Sequence, residues 1–205
     1  MRIAFFGGTF DPPHNGHTGL AEQVIASGYT DKALFVPTFS PPHKFGQPVT
    51  PYSHRLAMLR LAVRNMPGVE ISDIESRLGM VPSYTFDVMS ALEREFPADR
   101  LQLMLGSDSL LQLHSWHMAG ELIRRWEILT YPRSGEMPSV ADLCKFWNAD
   151  IAVKLVKTVM KLPFFEISST EIRKRIAKNE KVGKLIYRDV EDYIINNGLY
   201  KSAEK

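Results

Sequence analysis

Two histidines lie three positions apart in a stretch rich in glycine and proline near the start of the chain, residues 7–17 with the sequence GGTFDPPHNGH. His14 and His17 follow a short apolar run and open an amphipathic segment, so the pattern places them where a buried strand leads into a helix. Side chains at i and i+3 share a helix face, and Gly16 leaves room for a ligand between them. Imidazole donors here can stabilise charge that grows on a phosphate oxygen during transfer, without the fixed charge of lysine.

The position of this stretch also favours a ligand site. Ligands of open parallel sheets bind beyond the carboxyl ends of the strands, where a helix N-terminus supplies oriented amides and partial positive charge. Residues 7–17 lack the Lys-Ser/Thr ending of a P-loop and the spacing of a dinucleotide-binding glycine fingerprint, so neither of those mechanisms applies. The alternative is a pair of histidines satisfied within a loop. Two histidines that frame a glycine at this point favour the phosphate site.

Apolar and amphipathic segments alternate along the chain, which predicts an α/β fold, a parallel sheet covered by helices, in a single domain over residues 1–205. The predicted strands are 2–7, 32–37, 69–74, 101–105, 128–131 and 151–156. The predicted helices are about 17–27, one from Pro51 to before Pro67, one from near Tyr84, 139–146, one from Ser168, and a last one that carries Val190 and Ile194.

Local signals mark several of the boundaries of these elements. Gly28 and Gly198 suit the left-handed position just past a helix, and Ser168 with Glu171 has the spacing of a capping box. Thr50 is the predicted cap of the helix that opens at Pro51. The proline-rich stretch 38–51 cannot be regular structure and is predicted to be a long, functional loop.

Composition limits the class of partner and the compartment. The chain has 205 residues, 44% of them hydrophobic, and 25 Lys and Arg against 23 Asp and Glu. A net charge of +2 gives no electrostatic case for nucleic acid or an anionic membrane. The one cysteine, Cys144, excludes an intramolecular disulfide and is expected to be a small buried hydrophobe. With no membrane-length apolar segment, the chain is expected to be cytoplasmic, and its sequence carries no signal for an oligomeric state.

The histidine stretch resembles the nucleotidylyltransferases marked by His-x-Gly-His after a glycine-rich strand end. Further segments narrow the resemblance to the bacterial nicotinate-nucleotide adenylyltransferases, and it runs from Ile3 to about Tyr200. The segments are Pro42-His43-Lys44, Ser83-Tyr84-Thr85-Phe86-Asp87, Leu105-Gly106-Ser107-Asp108, Trp116 and Ile167-Ser168-Ser169-Thr170-Glu171-Ile172-Arg173. The resemblance implies a Rossmann-like fold of nucleotidylyltransferase type, with a C-terminal helical portion from about 168 to 200.

The resemblance implies an ATP site around the histidine pair. His14 and His17 would contact the α-phosphate, and Arg173 would fork oxygens of the β and γ phosphates. Asp108 would accept the ribose hydroxyls, with a helix N-cap as its competing interpretation. A solvated basic face competes for Arg173. The ATP-binding set implied is Gly8, Thr9, Phe10, His14, His17, Gly106, Asp108, Ile167, Ser168, Ser169 and Arg173, of which His14, His17 and Arg173 are catalytic.

A second set implied by the resemblance would bind the mononucleotide. Trp116 would stack on the pyridine ring, and Thr85 with a backbone amide near His117 would recognise its carboxylate. Lys44 would bind the mononucleotide phosphate and Arg133 would contact the substrate. The alternative interpretation of Trp116 is core packing, and that of Lys44 is a plain surface lysine.

Two positions depart from the family pattern. Ser134 stands where proline is expected after Arg133, which weakens the case for that arginine, and Pro13 stands where an aliphatic residue is common.

The implied activity is transfer of the adenylyl group of ATP to nicotinate mononucleotide, which forms nicotinate adenine dinucleotide (deamido-NAD) and pyrophosphate in NAD biosynthesis. Mg²⁺ would travel with the ATP phosphates, without a dedicated protein site. Transfer of a nucleotidyl group to another acceptor such as phosphopantetheine is the nearest alternative, although the Thr85 and Trp116 segments argue against it. A non-catalytic nucleotide sensor is a third interpretation, but it would have no reason to keep both histidines together with Arg173.

Overall fold

A computed structural model describes residues 1–41, 49–133, 137–163 and 165–201. The strands are β1 (Arg2–Gly8), β2 (Lys32–Pro37), β3 (Val69–Ile71), β4 (Arg100–Gly106) and β5 (Glu127–Tyr131). The helices are α1 (Asn15–Ala26), α2 (Tyr52–Val63), α3 (Ile74–Arg77), α4 (Thr85–Glu95), α5 (Ser107–Gln112), α6 (Ala119–Arg125), α7 (Val140–Leu143), α8 (Ala149–Val156), α9 (Ser169–Ala177) and α10 (Arg188–Asn196), with a 3₁₀ turn at Leu113–Ser115.

The five strands form one parallel sheet in the order β3-β2-β1-β4-β5. The central strand β1 is apolar on both faces because helices cover both sides of the sheet. Ile3 and Phe5 of β1 belong to one core cluster, whereas Ala4 and Phe6 belong to the other. The chain leaves β1 toward β2 on one side and later returns to β4 on its other side, so the strand order reverses at β1. Ligands of such sheets bind in the crevice at this point.

The predicted strand over 151–156 is wrong, because these residues form part of α8. The side chain of Asn148 caps the helix by accepting the amide of Ile151, and Ala152 and Leu155 bury one face at helical spacing. The next residues extend the sheet instead. The amide of Thr130 in β5 donates to the carbonyl of Thr158 at 2.9 Å, and the carbonyl of Thr130 accepts the amide of Met160 at 2.7 Å. The apolar run suits either element, and its cap decides in favour of the helix.

Four smaller expectations also need correction. The strand predicted over 69–74 ends at Ile71, because Ile74 already begins α3. Pro51, not Thr50, is the N-cap of α2, and the amide of Thr50 is bound elsewhere. Cys144 is exposed at the end of α7, where it was expected to be buried. The helix predicted over 139–146 extends only over α7, although Ser139 caps it.

In the part of the chain that the structure describes, no helix combines the length and the apolar character that crossing a membrane requires.

Candidate active site

The β1–α1 loop, residues 9–14, holds the predicted phosphate site at the carboxyl end of the central strand. A Cβ on Gly8 would lie 3.0 Å from the Phe10 ring, so the absence of a side chain allows the ring to pack there. Phe10 has a left-handed backbone, with φ of 49°, and its ring is buried edge-to-face against Phe6 and His17. Phe10 therefore anchors the loop through its side chain, and only its backbone is available to a ligand.

His14 and His17 are brought together at the start of α1. Their rings stack with centroids 3.6 Å apart and planes 20° from parallel. His14 is the N-cap, and its backbone N–H donates to Nδ1 of His17 at 3.2 Å. A neutral imidazole that accepts at Nδ1 carries its proton on Nε2, so His17 offers an Nε2–H donor. A Cβ on Gly16 would lie 3.0 Å from Nδ1 of His14, so this glycine makes room for the imidazole itself.

Both imidazoles are held in the neutral form. Burial, with a further contribution from the nearby charge of Arg133, lowers the pKa of His14 from 6.5 to about 4. Burial lowers the pKa of His17 well below 6.5, and His14 and Arg133 add to the effect. Nδ1 of His14 is buried and has no hydrogen-bond partner among the described residues. The pair therefore presents neutral donors beside one unpaired buried nitrogen.

The predicted site residues divide among three neighbouring cavities. His14, His17 and Ile167 line a cavity of about 60 Å³. A second cavity of about 590 Å³ contains residues of both predicted sets, and Arg133 lines the first as well as the second. The predicted site residues that line the second cavity are Gly8, Thr9, Gly106, Asp108, Thr85, Trp116, His117 and Arg133. Arg173 lines a third, open cavity of about 660 Å³.

A larger cavity lies at the opposite edge of the sheet. Its volume is about 1300 Å³, and it is lined by Arg100 and Glu127, where β4 and β5 begin, and by Trp147. It contains none of the predicted site residues.

Asp108 and Arg133 form an ion pair at the rim of the second cavity, with Nη1 of Arg133 3.1 Å from Oδ2 of Asp108. Both side chains are almost half exposed, so a ligand can reach them. A Cβ on Gly106 would lie 2.4 Å from Oδ1 of Asp108, which explains the glycine at the end of β4. The N-cap interpretation of Asp108 is wrong, because Gly106 caps α5 and Asp108 lies inside its first turn.

Thr85, Trp116 and His117 line the same cavity. Thr85 is the first residue of α4, a position whose backbone N–H has no partner within the helix. The ring of His117 stacks on that of Tyr84 with centroids 4.6 Å apart, and Trp116 packs partly against the core. Both interpretations of Trp116 therefore apply at once, since its indole borders the cavity as well as the core.

The first turn of α9 brings Ser168, Ser169 and Arg173 against the β1–α1 loop. Ser168 caps the helix by accepting the amide of Glu171, which is one half of the predicted capping box. The hydroxyl of Ser169 donates to the carbonyl of Pro12 at 2.9 Å. Arg173 donates from Nη1 to the carbonyl of Asp11 at 2.7 Å, so in this state its guanidinium binds the loop. Lys174, interpreted from sequence as solvated, lines the same open cavity as Arg173.

Three buried charged residues near the site were missed by sequence reasoning. Arg55 is 2% exposed and donates to the carbonyls of Thr9 at 2.8 Å and Thr50 at 2.9 Å. The sequence could have predicted the burial of Arg55, because this arginine is four residues before Leu59 and so lies on the apolar face of α2. Asp11 and Glu75 are also buried. Nothing in the local pattern around either carboxylate distinguishes it from a turn residue or an exposed one.

Residues 42–48 of the predicted 38–51 loop lie outside the described residues, and with them Pro42, His43 and Lys44. Ser134 also lies outside them. Among the residues described, no group of three or more His, Cys, Asp and Glu side chains is arranged to hold a metal ion.

Comparison with known proteins identifies related chains. The cytidylyltransferase-like family pattern matches residues 5–175. Nicotinate-nucleotide adenylyltransferase of Bacillus subtilis (strain 168) is 36% identical over 98% of this chain and 99% of its own length. Nicotinic acid mononucleotide adenylyltransferase of Plasmodium falciparum, solved in complex with NaAD, superposes with a TM-score of 0.75 at 21% identity over 97% of both chains. The same protein in complex with APC gives a TM-score of 0.73.

Proposed function

We propose that this chain, which belongs to the cytidylyltransferase-like family and within it to the nicotinate-nucleotide adenylyltransferases, transfers the adenylyl group of ATP to nicotinate mononucleotide, forming nicotinate adenine dinucleotide and pyrophosphate. The observation that carries the proposal is the stacked, neutral His14–His17 pair at the start of α1. The pair lines a small cavity that shares Arg133 with the larger cavity lined by Thr85 and Trp116.

The reaction is an in-line displacement at the α-phosphate. An oxygen of the mononucleotide 5′-phosphate bonds to this phosphorus while the bond to the bridging oxygen of the β-phosphate breaks, and pyrophosphate leaves with that electron pair. A phosphate monoester has its second pKa near 6, so the nucleophile is already ionised at neutral pH. No general base is required, and positioning with electrostatic stabilisation supplies the catalysis.

The neutral imidazoles suit this task. His17 donates from Nε2, and His14 adds a second neutral imidazole stacked beside it. Donors without fixed charge favour charge that develops during transfer over charge already present in bound ATP.

The rest of ATP lies along the β1–α1 loop and α9 in this proposal. Backbone groups of Gly8, Thr9 and Phe10 face the phosphates, and the α9 N-terminus with Ser168 and Ser169 binds the β and γ phosphates. Arg173 would exchange its bond with the Asp11 carbonyl for phosphate oxygens.

On the other side of the loop, Gly106, Asp108 and Ile167 would border the nucleoside. Asp108 is an acceptor for ribose hydroxyls when it releases Arg133.

At the mononucleotide end, Trp116 stacks on the pyridine ring while the Thr85 hydroxyl and a backbone amide near His117 donate to the nicotinate carboxylate. The open amide at the start of α4 supports an anion in this position. Lys44 and Arg133 are the proposed cations for the mononucleotide phosphate.

We further propose that Mg²⁺ enters with the ATP phosphates and neutralises part of their charge. The carboxylates of Asp11 and Asp108 are engaged within the protein, Asp11 with Tyr200 and Asp108 with Arg133. The phosphates and water would therefore hold the ion. ATP and nucleotide substrates are intracellular, which supports a cytoplasmic location.

The test is a pyrophosphate-release assay on the purified chain with ATP, Mg²⁺ and one acceptor at a time. Nicotinate mononucleotide should give release, and phosphopantetheine should not. Release with phosphopantetheine alone would assign the activity to another acceptor class, and no release with any acceptor would favour a nucleotide sensor.

A further inference from the structure

The carboxylate of Asp11 sits buried in the β1–α1 loop, three positions before His14, at 4% exposure. Its Oδ1 accepts the Tyr200 hydroxyl at 2.6 Å, and its Oδ2 accepts the Thr50 amide at 3.3 Å. Tyr200 follows α10 near the C-terminus and is far from the loop in sequence. The contact therefore joins the two ends of the chain at the phosphate site.

Tyr200 has a backbone that tyrosine rarely adopts. Its φ is 62°, in the left-handed region, where glycine, asparagine and aspartate are the usual residues. Such a conformation persists only when the surroundings impose it, and it occurs preferentially where function needs it. Burial, reinforced by the bond to Asp11, raises the pKa of the Tyr200 hydroxyl, so the group stays protonated and remains a donor.

The same loop is held at its carbonyl oxygens by other elements. Arg55 of α2 binds the Thr9 carbonyl, Arg173 of α9 the Asp11 carbonyl and Ser169 the Pro12 carbonyl. These bonds fix the backbone but leave the Asp11 side chain free to turn. Tyr200 and the Thr50 amide are the partners that fix that carboxylate.

We propose that Tyr200, acting through Asp11, is a positioning residue for adenylyl transfer: the C-terminal turn fixes the loop that presents Gly8, Thr9 and the histidine pair to the phosphates. This inference rests on the proposed function. A displacement near 1 Å at a site of this kind can lower the rate about a hundredfold, so a single bond at the loop reaches the chemistry without touching the substrate.

The experiment compares Tyr200→Phe with Tyr193→Phe in steady-state kinetics. Each variant removes one hydroxyl from a half-buried tyrosine near the C-terminus. The Tyr193 hydroxyl bonds to Nδ1 of His54 at 2.9 Å, away from the β1–α1 loop, so this variant is the control for loss of stability. Thermal unfolding of both variants shows whether they lose comparable stability.

We expect Tyr200→Phe to lower kcat about tenfold while KM for the mononucleotide changes less than about twofold, and Tyr193→Phe to keep kcat within about twofold. In the Asp11→Ala background, Tyr200→Phe should change kcat little further, because the carboxylate through which Tyr200 acts is already absent. The proposal would be overturned if Tyr200→Phe left kcat unchanged or if both tyrosine variants lowered kcat equally. It would also be overturned if the double variant with Asp11→Ala showed the product of the two single-variant losses in kcat. A wild-type chain without activity would instead overturn the proposed function.

Discussion

The histidine pair derives its chemistry from burial rather than from any unusual residue. The first turn of α1 places two imidazoles where water is excluded and a guanidinium is near, and both factors disfavour the charged form. His17 is then fixed in one tautomer by the His14 amide. The motif spacing predicted that the two side chains would share a face. It could not predict the neutral state, since that state depends on burial in the folded protein and on Arg133, which lies far away in the sequence.

His17→Ala should lower kcat by about 10² to 10³ while KM for ATP changes much less, because the lost donor acts mainly on charge in the transition state. His54→Ala, a histidine bound to Tyr193 outside the site, is the control and should stay near wild type. The measurement is the initial rate of pyrophosphate release over a range of ATP concentrations. A His17→Ala enzyme with more than half of the wild-type kcat would exclude His17 from the mechanism.

Glu75 provides a pH-dependent test of the second cavity, which it lines. It is 2% exposed and accepts the Phe39 amide at 2.7 Å. Burial raises the pKa of its carboxyl from 4.5 to about 7, against the opposing effects of Ser83, Phe39 and Arg55. The folded protein therefore binds more protons than the unfolded chain between those pH values. The contribution of Glu75 to stability is fully present below pH 4.5 and declines as the pH rises to about 7.

In Glu75→Gln this decline should be absent. The difference in free energy of unfolding, variant minus wild type, should rise between pH 4.5 and about 7 by about 3 kcal/mol and stay constant above. Chemical denaturation at a series of pH values measures it. Taking the difference removes the opposite trend from His14, whose lowered pKa makes stability fall as the pH drops from 6.5 to about 4 in both proteins. A difference that is flat across the window would show that the carboxyl is not held in its neutral form.

At the scale of elements, the hydrophobic pattern was sufficient to predict the type and limits of an element where the element is long and buried on a defined face. β1, β2, β4 and β5 lie within two residues of their predicted limits, and the final helix ends before Gly198, whose φ is 61°. The pattern failed at α8, where Asn148 had to be recognised as a cap, and at the true sheet neighbour of Thr130, which comes from an irregular segment. Short apolar runs leave helix and strand undecided, and the tertiary structure makes the choice.

The start of α4 and the turn at Trp116 should set the choice of acceptor. A site that presents donors and few acceptors favours a carboxylate over a carboxamide, so kcat/KM should be higher for nicotinate mononucleotide than for its nicotinamide counterpart. Trp116→Ala should raise KM for both acceptors, since stacking does not sense the substituent. Thr85→Val should mainly reduce the preference, in part only, because a hydroxyl can also accept.

Measuring kcat/KM for both acceptors in wild type and the two variants separates these roles. Equal wild-type values would refute the preference, and an unchanged ratio in Thr85→Val would refute its assignment to the threonine.

The whole molecule brings together at one sheet edge parts that are remote in sequence. The β1–α1 loop, the ends of β4 and β5, and the first turns of α4 and α9 all meet where the strand order reverses. The near-neutral net charge of +2 is compatible with this arrangement, because the cations near the cavities, Arg55, Arg133 and Arg173, are placed individually. Sequence position could suggest the site, but only the folded structure shows that residues of both predicted sets line one cavity, with the histidine pair and Arg173 in neighbouring ones.

If the cavities are two ends of one site, a dinucleotide that spans them should stabilise the fold more than either half does. Binding to the folded state alone adds about 2.7 kcal/mol at a ligand concentration of 100 Kd, and joining two ligands makes the second contact intramolecular. At equal concentrations, nicotinate adenine dinucleotide should therefore raise Tm more than nicotinate mononucleotide or a non-hydrolysable ATP analogue. Trp116→Ala should lose the mononucleotide shift and part of the dinucleotide shift, and keep the shift from the ATP analogue.

Trp147→Ala is the matched control, because Trp147 borders the large cavity at the opposite edge of the sheet. It should lower Tm without ligand and retain all three shifts. A dinucleotide shift no larger than that of the better half would mean that the two sets of residues do not bind one continuous ligand. Loss of all three shifts in Trp116→Ala would mean that its indole supports the fold of the whole edge, since the ATP end would then fail as well.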